Sequence, residues 1–328
     1  MGNADLRDLA VIEETTIDQL VGVTVAVDAP NWLYKYLTTT AQWNEDSVYT
    51  RSDGLEVPNL IGGLRGLPRF FEHDITPVFV FDGGYHERKT GEVEERQSKK
   101  EDAAARAQEA RDEGDNIRAA RLEARTQRLT DTVISTTKTL FDHLDIPHMD
   151  APQAAEAQAA YMNSEADVDY VISEDYDTLL FGAPQTIRSF TSSGDDIENM
   201  LFEDTLGKLD VTQMQLVDMA ILCGTDYNEG IHGVGTVTAR DGVKKHGSIE
   251  GVLEENDADV PELDTIRDIF LNPAATDDYT IPSTYPEPDI EAAQSFVVDE
   301  WEIPENEVNR AFERIEDTTS QSGLGQWT

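Results

Sequence analysis

Two aspartates, Asp175 and Asp177, stand two residues apart just after a short apolar run in the stretch VDYVISEDYDTLLFGAP, residues 168–184. Val168, Tyr170, Val171 and Ile172 read as a buried strand, so both carboxylates fall where that strand ends. The pattern recurs along the chain. VTVAVD closes on Asp28, PVFVFDG carries Asp82, and MAILCGTD closes on Asp226 after an apolar run of helical character. An aspartate after a strand is also an ordinary turn residue, so no one of these positions is diagnostic alone. Together they are five carboxylates from four segments, and like charges so gathered do not all stay ionised at neutral pH unless cations sit between them. All-oxygen ligands of this kind suit Mg²⁺ or Mn²⁺, and a pair of such ions is the usual apparatus of phosphodiester hydrolysis.

The elements that must position these groups follow from periodicity. Alternating strand and helix signals from residue 21 to 190 predict an α/β fold, with a mostly parallel central sheet flanked by helices. In such a sheet the strands' carboxyl ends share one edge, where ligands bind. TTIDQL reads as helical, NWLYKY as a helix packed beside Asp28, and residues 59–72 as a helix restarted at Pro68. The aromatics of NWLYKY suit a core better than a stacking platform. IPHM and QTIRSF read as strands, and APQAAEAQAAYM as a helix starting near Pro152 with Glu156 in its first turn, a placement that helix-dipole chemistry alone would favour. Residues 129–144 are an amphipathic helix, and residues 250–315 are further helices broken by the proline-rich YTIPSTYPEPD.

Between residues 85 and 130 the chain is rich in Ala, Glu, Gln and Arg, with almost no large apolar side chains to bury. Its helices should stand away from the core. The stretch holds eleven of the chain's 25 Lys and Arg, Lys89 and Arg96 among them, and that concentration has two readings. One is an exposed helix laced with i,i+4 ion pairs; the other is a basic element over a site that receives a polyanion.

The chain of 328 residues has 66 acidic and 25 basic side chains, a net charge of −41. Such acidity argues against a nucleic-acid partner in dilute buffer, because phosphate binding wants a basic surface. An acidic, solvated surface is also what a very salty cytoplasm favours, and at ~1 M salt the Debye length is only ~3 Å, so net charge there says little about partners. The single cysteine, Cys223, lies in the apolar run AILCG and reads as a buried small hydrophobe, and the six histidines have no paired spacing. No apolar run approaches the ~18 residues of a membrane span and the start shows no signal peptide, so the expectation is a soluble, cytoplasmic chain with no membrane partner.

Two further features bear on binding. Gly233 and Gly235, between helical stretches and followed by Lys244 and Lys245, would form a tight turn whose backbone N–H groups approach a phosphate closely. At the carboxyl end, QSGLGQWT spaces Gln321, Leu324 and Trp327 so that a helical turn puts Leu and Trp on one side, as a plug for a partner's pocket or simply as a frayed tail.

In this order and spacing, MGNADL, VAVDAPNWLY, PVFVFDG, the basic helices, APQAAEAQAAYM, SEDYDTLLFGAP, LCGTDYNEGIHGVG, FLNPAATDDY and QSGLGQWT resemble the flap-structure-specific 5′-nucleases of the XPG type, in their archaeal form. The acidity is similar to the halophilic branch. The resemblance implies a PIN-like nuclease core with a protruding helical arch and a helix-two-turn-helix DNA-binding element. Its parts would be an N-terminal nuclease region (1–100), the arch (85–130), an internal nuclease region (139–220), the helix-two-turn-helix with C-terminal helices (221–315), and a clamp-binding tail (316–328). It implies Asp28, Asp82 and Glu156 on one metal side and Asp175, Asp177 and Asp226 on the other, with Glu156 able to serve both. It assigns Lys89 and Arg96 to the arch cations near the scissile phosphate and Tyr34 to the aromatic that stacks on the nucleotide beside the cut. Gly233 and Gly235, with Lys244 and Lys245, would grip the uncut duplex strand, with K⁺ at the turn. Gln321, Leu324 and Trp327 would dock on the replication sliding clamp (PCNA). The implied cofactors are two Mg²⁺ ions, replaceable by Mn²⁺, and the implied partner is branched DNA with a 5′ flap, bound by a monomer.

Three positions depart from that pattern. Ala154 stands where the family has a glutamate, Gly66 stands where an arginine is expected, and GVGTVTAR lacks the usual Pro and Lys after the second glycine. Two readings follow: a Mg²⁺-dependent 5′-flap endonuclease with 5′–3′ exonuclease capacity in Okazaki-fragment maturation and base-excision repair, or a catalytically weakened flap-DNA and clamp-binding protein. A PIN-type ribonuclease is a remoter third, disfavoured by the basic helices and the glycine turn.

Overall fold

A computed structural model describes residues 3–43, 49, 51–53, 55, 57–83 and 131–325. The stretch 84–130, expected as the arch, lies outside the described residues. Seven strands form one sheet in the order β1-β7-β6-β5-β2-β3-β4. They are β1 (Val11–Thr16), β2 (Thr24–Asp28), β3 (Thr76–Phe81), β4 (His148–Asp150), β5 (Tyr170–Ile172), β6 (Gln185–Arg188) and β7 (Asp196–Leu201). From β4 across to β6 the pairing is parallel, and β7 and β1 add an antiparallel edge. The mostly parallel sheet is as expected. Neither β1 nor β7 was, because VIEETT and DIENML are largely polar. TTIDQL is accordingly split between the end of β1 and a 3-10 turn, Ile17–Leu20, rather than being a helix.

From β2 the chain first lays down β3 and β4 on one side and then crosses to build β5 and β6 on the other. The carboxyl ends of β2, β3 and β5 therefore flank a topological switch point, the crevice that open α/β sheets use for ligands. Register aligns their tips: Val27 is level with Ile172, and Asp28 with Val80. Ser173 thus lies alongside Asp28, and Asp82 one residue beyond the end of β3.

Strand residues alternate between two cores. Val25, Val27, Phe79 and Phe81 face one side, where Trp32, Phe70, Phe71 and Phe141 come from the helices Ala29–Trp43, Pro68–Glu72 and Asp131–His143. Ala26, Val78 and Val80 face the other, against the alanine-rich helix Ala155–Ser164. A third cluster joins Leu6, Leu9, Tyr176 and Leu179 to the helices Gln213–Cys223, Thr236–His246, Ile249–Glu255 and Leu263–Leu271. The last helix, Glu305–Gly325, packs on the helices Pro58–Gly66 and Pro68–Glu72. Among the described residues no helix is long and apolar enough to cross a membrane.

Candidate functional site

Asp28, the last residue of β2, is 3 % exposed and caps the helix Ala29–Trp43. Its Oδ1 accepts the Asn31 N–H at 3.1 Å and its Oδ2 accepts the Ser173 hydroxyl at 2.9 Å. That hydroxyl in turn accepts the Asp175 N–H at 3.1 Å, so one buried serine ties the ends of β2 and β5 together. Asp175 Oδ1 accepts the Asp177 N–H at 3.0 Å and opens the 3-10 turn Tyr176–Leu179, which fixes where Asp177 points.

Across the crevice, Asp82 Oδ1 accepts the N–H of Ala155 at 2.8 Å, the first residue of the helix Ala155–Ser164. Ala154 at that helix start has no side chain to cap with, and a carboxylate from another strand takes its place. The helix consequently begins at Ala155, not near Pro152, and carries Glu156 in its first turn. Gly83 makes the approach possible: a Cβ there would lie 1.4 Å from the Ala151 carbonyl oxygen. Asp226 is exposed, beyond the helix Gln213–Cys223, in a turn closed by the Thr225 N–H to the Asn228 carbonyl at 3.0 Å.

Burial, with the charges of Asp82 and Asp175, pushes Asp28 up to about 7 although two hydrogen bonds favour its ionised form. Asp177 is pushed up to about 7 by burial and by Asp175 and Asp226. Glu156 is driven well above the carboxylate range by burial and by Asp28, Asp82 and Asp175. Asp175, also raised by burial, feels Asp226 as well, so it belongs to both halves of the cluster. Tyr227, packed edge-on against Phe270 at 5.6 Å, is pushed up to about 12 by burial and by Glu156, Asp177, Asp226 and Asp82.

This donor set, carboxylate oxygen without His or Cys, fits hard divalent cations. Among the described residues no three acidic, His or Cys side chains converge closely enough to cage an ion unaided. The carboxylates act on one another at electrostatic range.

The other expected residues are dispersed. Tyr34 is half-buried on the helix that Asp28 caps. Lys89, Arg96 and Trp327 lie outside the described residues, while Gln321 and Leu324 fall in the helix Glu305–Gly325. Gly233 has φ +80° and Gly235 precedes the helix Thr236–His246, both bordered by open space. Lys244 and Lys245 sit at the opposite end of that helix, about 15 Å away, each paired at 2.6 Å, with Asp210 and Glu255. Gly66 cannot carry the expected arginine in place, because a Cβ would meet the Tyr36 ring at 2.4 Å, and Arg65 pairs with Glu307 at 3.2 Å.

Sequence reasoning missed the groups that hold the carboxylates. Besides Ser173, Asn31 accepts the Glu174 N–H at 3.0 Å, Lys35 grips Glu174 at 2.6 Å, and the Arg188 guanidinium lies 3.5 Å over the Tyr176 ring. Ser173 and Glu174 stand within SEDYD and Asn31 three residues after Asp28, the spacing of a cap, so part of the signal was present.

The XPG N-terminal domain matches residues 3–103, which include Asp28 and Asp82, and the XPG I-region matches residues 145–226, which include Glu156, Asp175, Asp177 and Asp226. Over the full length of both chains, the flap endonuclease 1 of Haloarcula marismortui is 53% identical and that of Halobacterium salinarum 54%. The chain belongs to the flap endonuclease 1 family. As a member it is a structure-specific nuclease. The flap endonuclease-1 from Methanococcus jannaschii superposes with a TM-score of 0.74 at 28% identity, covering 96% of this chain and 98% of that one. The catalytic core of Rad2 in complex with DNA substrate shares the flap endonuclease fold, with a TM-score of 0.69 at 20% identity, over 94% of this chain and 97% of that one.

Proposed function

We propose that the chain is a Mg²⁺-dependent 5′-flap endonuclease with 5′–3′ exonuclease capacity, cutting phosphodiester bonds where a flap leaves duplex DNA and serving Okazaki-fragment maturation and base-excision repair. The observation that carries this reading is the six-carboxylate cluster at the switch point, with burial and mutual repulsion holding several of its members above their usual range. Such a cluster gains most when a cation enters. Two divalent ions held by Asp28, Asp82 and Glu156 on one side and Asp175, Asp177 and Asp226 on the other would ease formation of the attacking hydroxide and neutralise charge on the leaving oxygen.

The remaining residues bind and orient. Tyr34, about 9 Å along the helix from Asp28, would stack on the nucleotide beside the cut. Lys89 and Arg96 would stabilise charge on the scissile phosphate. The open turn at Gly233 and Gly235, with K⁺, would hold the uncut duplex through backbone N–H groups. Lys244 and Lys245 would have to exchange carboxylate partners for phosphate, a small cost where salt weakens surface pairs. The carboxyl-terminal turn with Gln321, Leu324 and Trp327 would dock on a sliding clamp.

Ala154 supports a second reading, a catalytically weakened flap-binding protein, because it removes a carboxylate beside Glu156. The deciding measurement is single-turnover cleavage of a 5′-labelled double-flap DNA with Mg²⁺ and then Mn²⁺ in molar KCl, comparing this protein with Ala154→Glu. Similar rates near the flap junction are expected. Cutting by Ala154→Glu alone, with equal flap binding, would establish the weakened reading instead.

A further inference from the structure

The helix that carries Glu156 is AEAQAAYMNS, and its Ala155, Ala159, Ala160 and Met162 are buried with Ala26, Val78, Val80 and Val171 of the sheet. Small side chains let a helix lie close to strands, but they offer shallow ridges, so packing resists lifting weakly. Glu156, in the first turn of this helix, interacts electrostatically with Asp28, Asp82 and Asp175, so a small shift of the helix would alter its place among them. Something on the outer side must hold the helix in place.

That something is the segment after the helix Leu263–Leu271. Gln158 is fully buried and its carboxamide bonds the backbone of Thr276 in both directions: the Thr276 N–H donates to Oε1 at 2.9 Å, and Nε2 donates to the Thr276 carbonyl at 3.0 Å. Tyr161 donates to Asp277 at 2.5 Å, and Tyr279 donates to Asp167 at 2.5 Å just past the helix. Residues 156 and 158 lie about 200° apart around the helix axis, so the helix is held between the site and this strap. A buried carboxamide is costly unless both its ends are paired, and an apolar side chain would fill the space without that requirement. What the carboxamide adds is register: its paired bonds lock the strap to the helix at a single position. The strap starts at the helix whose Phe270 packs on Tyr227, next to Asp226, so it links the two banks of the cluster.

We propose that Gln158 is a positioning residue of the nuclease site, fixing the Glu156 helix in one register through the Thr276 backbone and so setting the cluster's affinity for divalent cations. This rests on Glu156 belonging to the cation-binding cluster. The test uses the full chain and three readouts: Mn²⁺ binding followed by electron paramagnetic resonance, the Mg²⁺ dependence of single-turnover flap cleavage, and the unfolding temperature in chelator. For Gln158→Leu, Mn²⁺ affinity should fall about 10-fold and the Mg²⁺ needed for half-maximal rate rise in step, with the rate at saturating Mg²⁺ within about threefold of the parent. Tyr161→Phe, which removes one solvent-accessible bond of the same strap, should shift both in the same direction by less, and it decides the matter if Gln158→Leu does not fold. A lower unfolding temperature with unmoved metal titrations would overturn the proposal. Glu156→Gln separates the two levels: if it leaves Mn²⁺ binding unchanged, the reading of the site fails, and if it weakens binding while neither strap variant does, only the clamp is wrong.

Discussion

Asp28 caps a helix and faces other carboxylates at once, and the two duties conflict. As a cap it is best ionised; as a buried neighbour of Asp82 and Asp175 it holds its proton up to about pH 7. The folded, metal-free protein binds that proton more tightly than the unfolded chain does. The stabilisation is therefore present at low pH and is lost as pH rises from about 4 to about 7. Asp28→Asn, neutral throughout, should match the parent at about pH 4 and below and gain about 2–4 kcal/mol over it by pH 8 in chelator, read from thermal unfolding. Mg²⁺ at pH 8 should raise the parent's unfolding temperature by more than that of Asp28→Asn, which keeps only the Asp175, Asp177 and Asp226 side intact. A difference between the two proteins that did not vary with pH would refute this account. Ser173 works at the same scale, giving its hydrogen to Asp28 and accepting one from Asp175, which alanine could not do.

Helix starts are the elements on which the site turns. Asp28 and Asp82 each receive N–H groups from the first turn of a helix, and the positive ends of those helices partly offset the crowding of negative charge. The parallel register of β2 with β3 and β5 brings the caps to one level. At the far end of the chain, the helix Glu305–Gly325 runs through positions 321 and 324. Removal of residues 321–328 should abolish binding to a sliding clamp, measured by surface plasmon resonance, while leaving the cutting of free flaps within about twofold, since the tail is far in sequence from every carboxylate of the site. Undiminished clamp affinity would sink the tail assignment.

At the scale of the molecule, 66 acidic side chains surround a site proposed to bind a polyanion. Counterion release is a feeble drive near molar salt, so DNA would be held by cation bridges, stacking and bending rather than by long-range attraction. Cleavage of the double flap should persist from about 0.5 M to several molar KCl, with a shallow salt slope, because the Debye length there is only a few ångströms. Activity confined to dilute buffer would contradict this.

How much was legible beforehand depends on how local each cause is. Asp28, Asp82, Asp175, Asp177 and Asp226 announced themselves because each follows an apolar run whose period reports its own conformation, and the parallel sheet followed from the alternation of those runs. Glu156 gained meaning only from resemblance, since a first-turn glutamate has a sufficient local cause. β1 and β7 stayed hidden because VIEETT and DIENML pair with each other across 180 residues of sequence and neither carries an apolar period strong enough to show it. The two ends of the helix Thr236–His246 looked adjacent in the sequence, and only its rise sets Gly233 and Lys245 apart. Lys35, Arg188 and the Gln158–Thr276 bonds were beyond reach for the same reason: a hydrogen bond between residues 118 positions apart has no period, and its partner is chosen by tertiary packing. The sequence by itself determined which segments end in carboxylates, and that carboxylates gathered from them would favour a cation. Only the tertiary structure decided which of them face one another, which hydroxyls and amides hold them there, and how far burial raises their hold on a proton, because each of those is a distance through space.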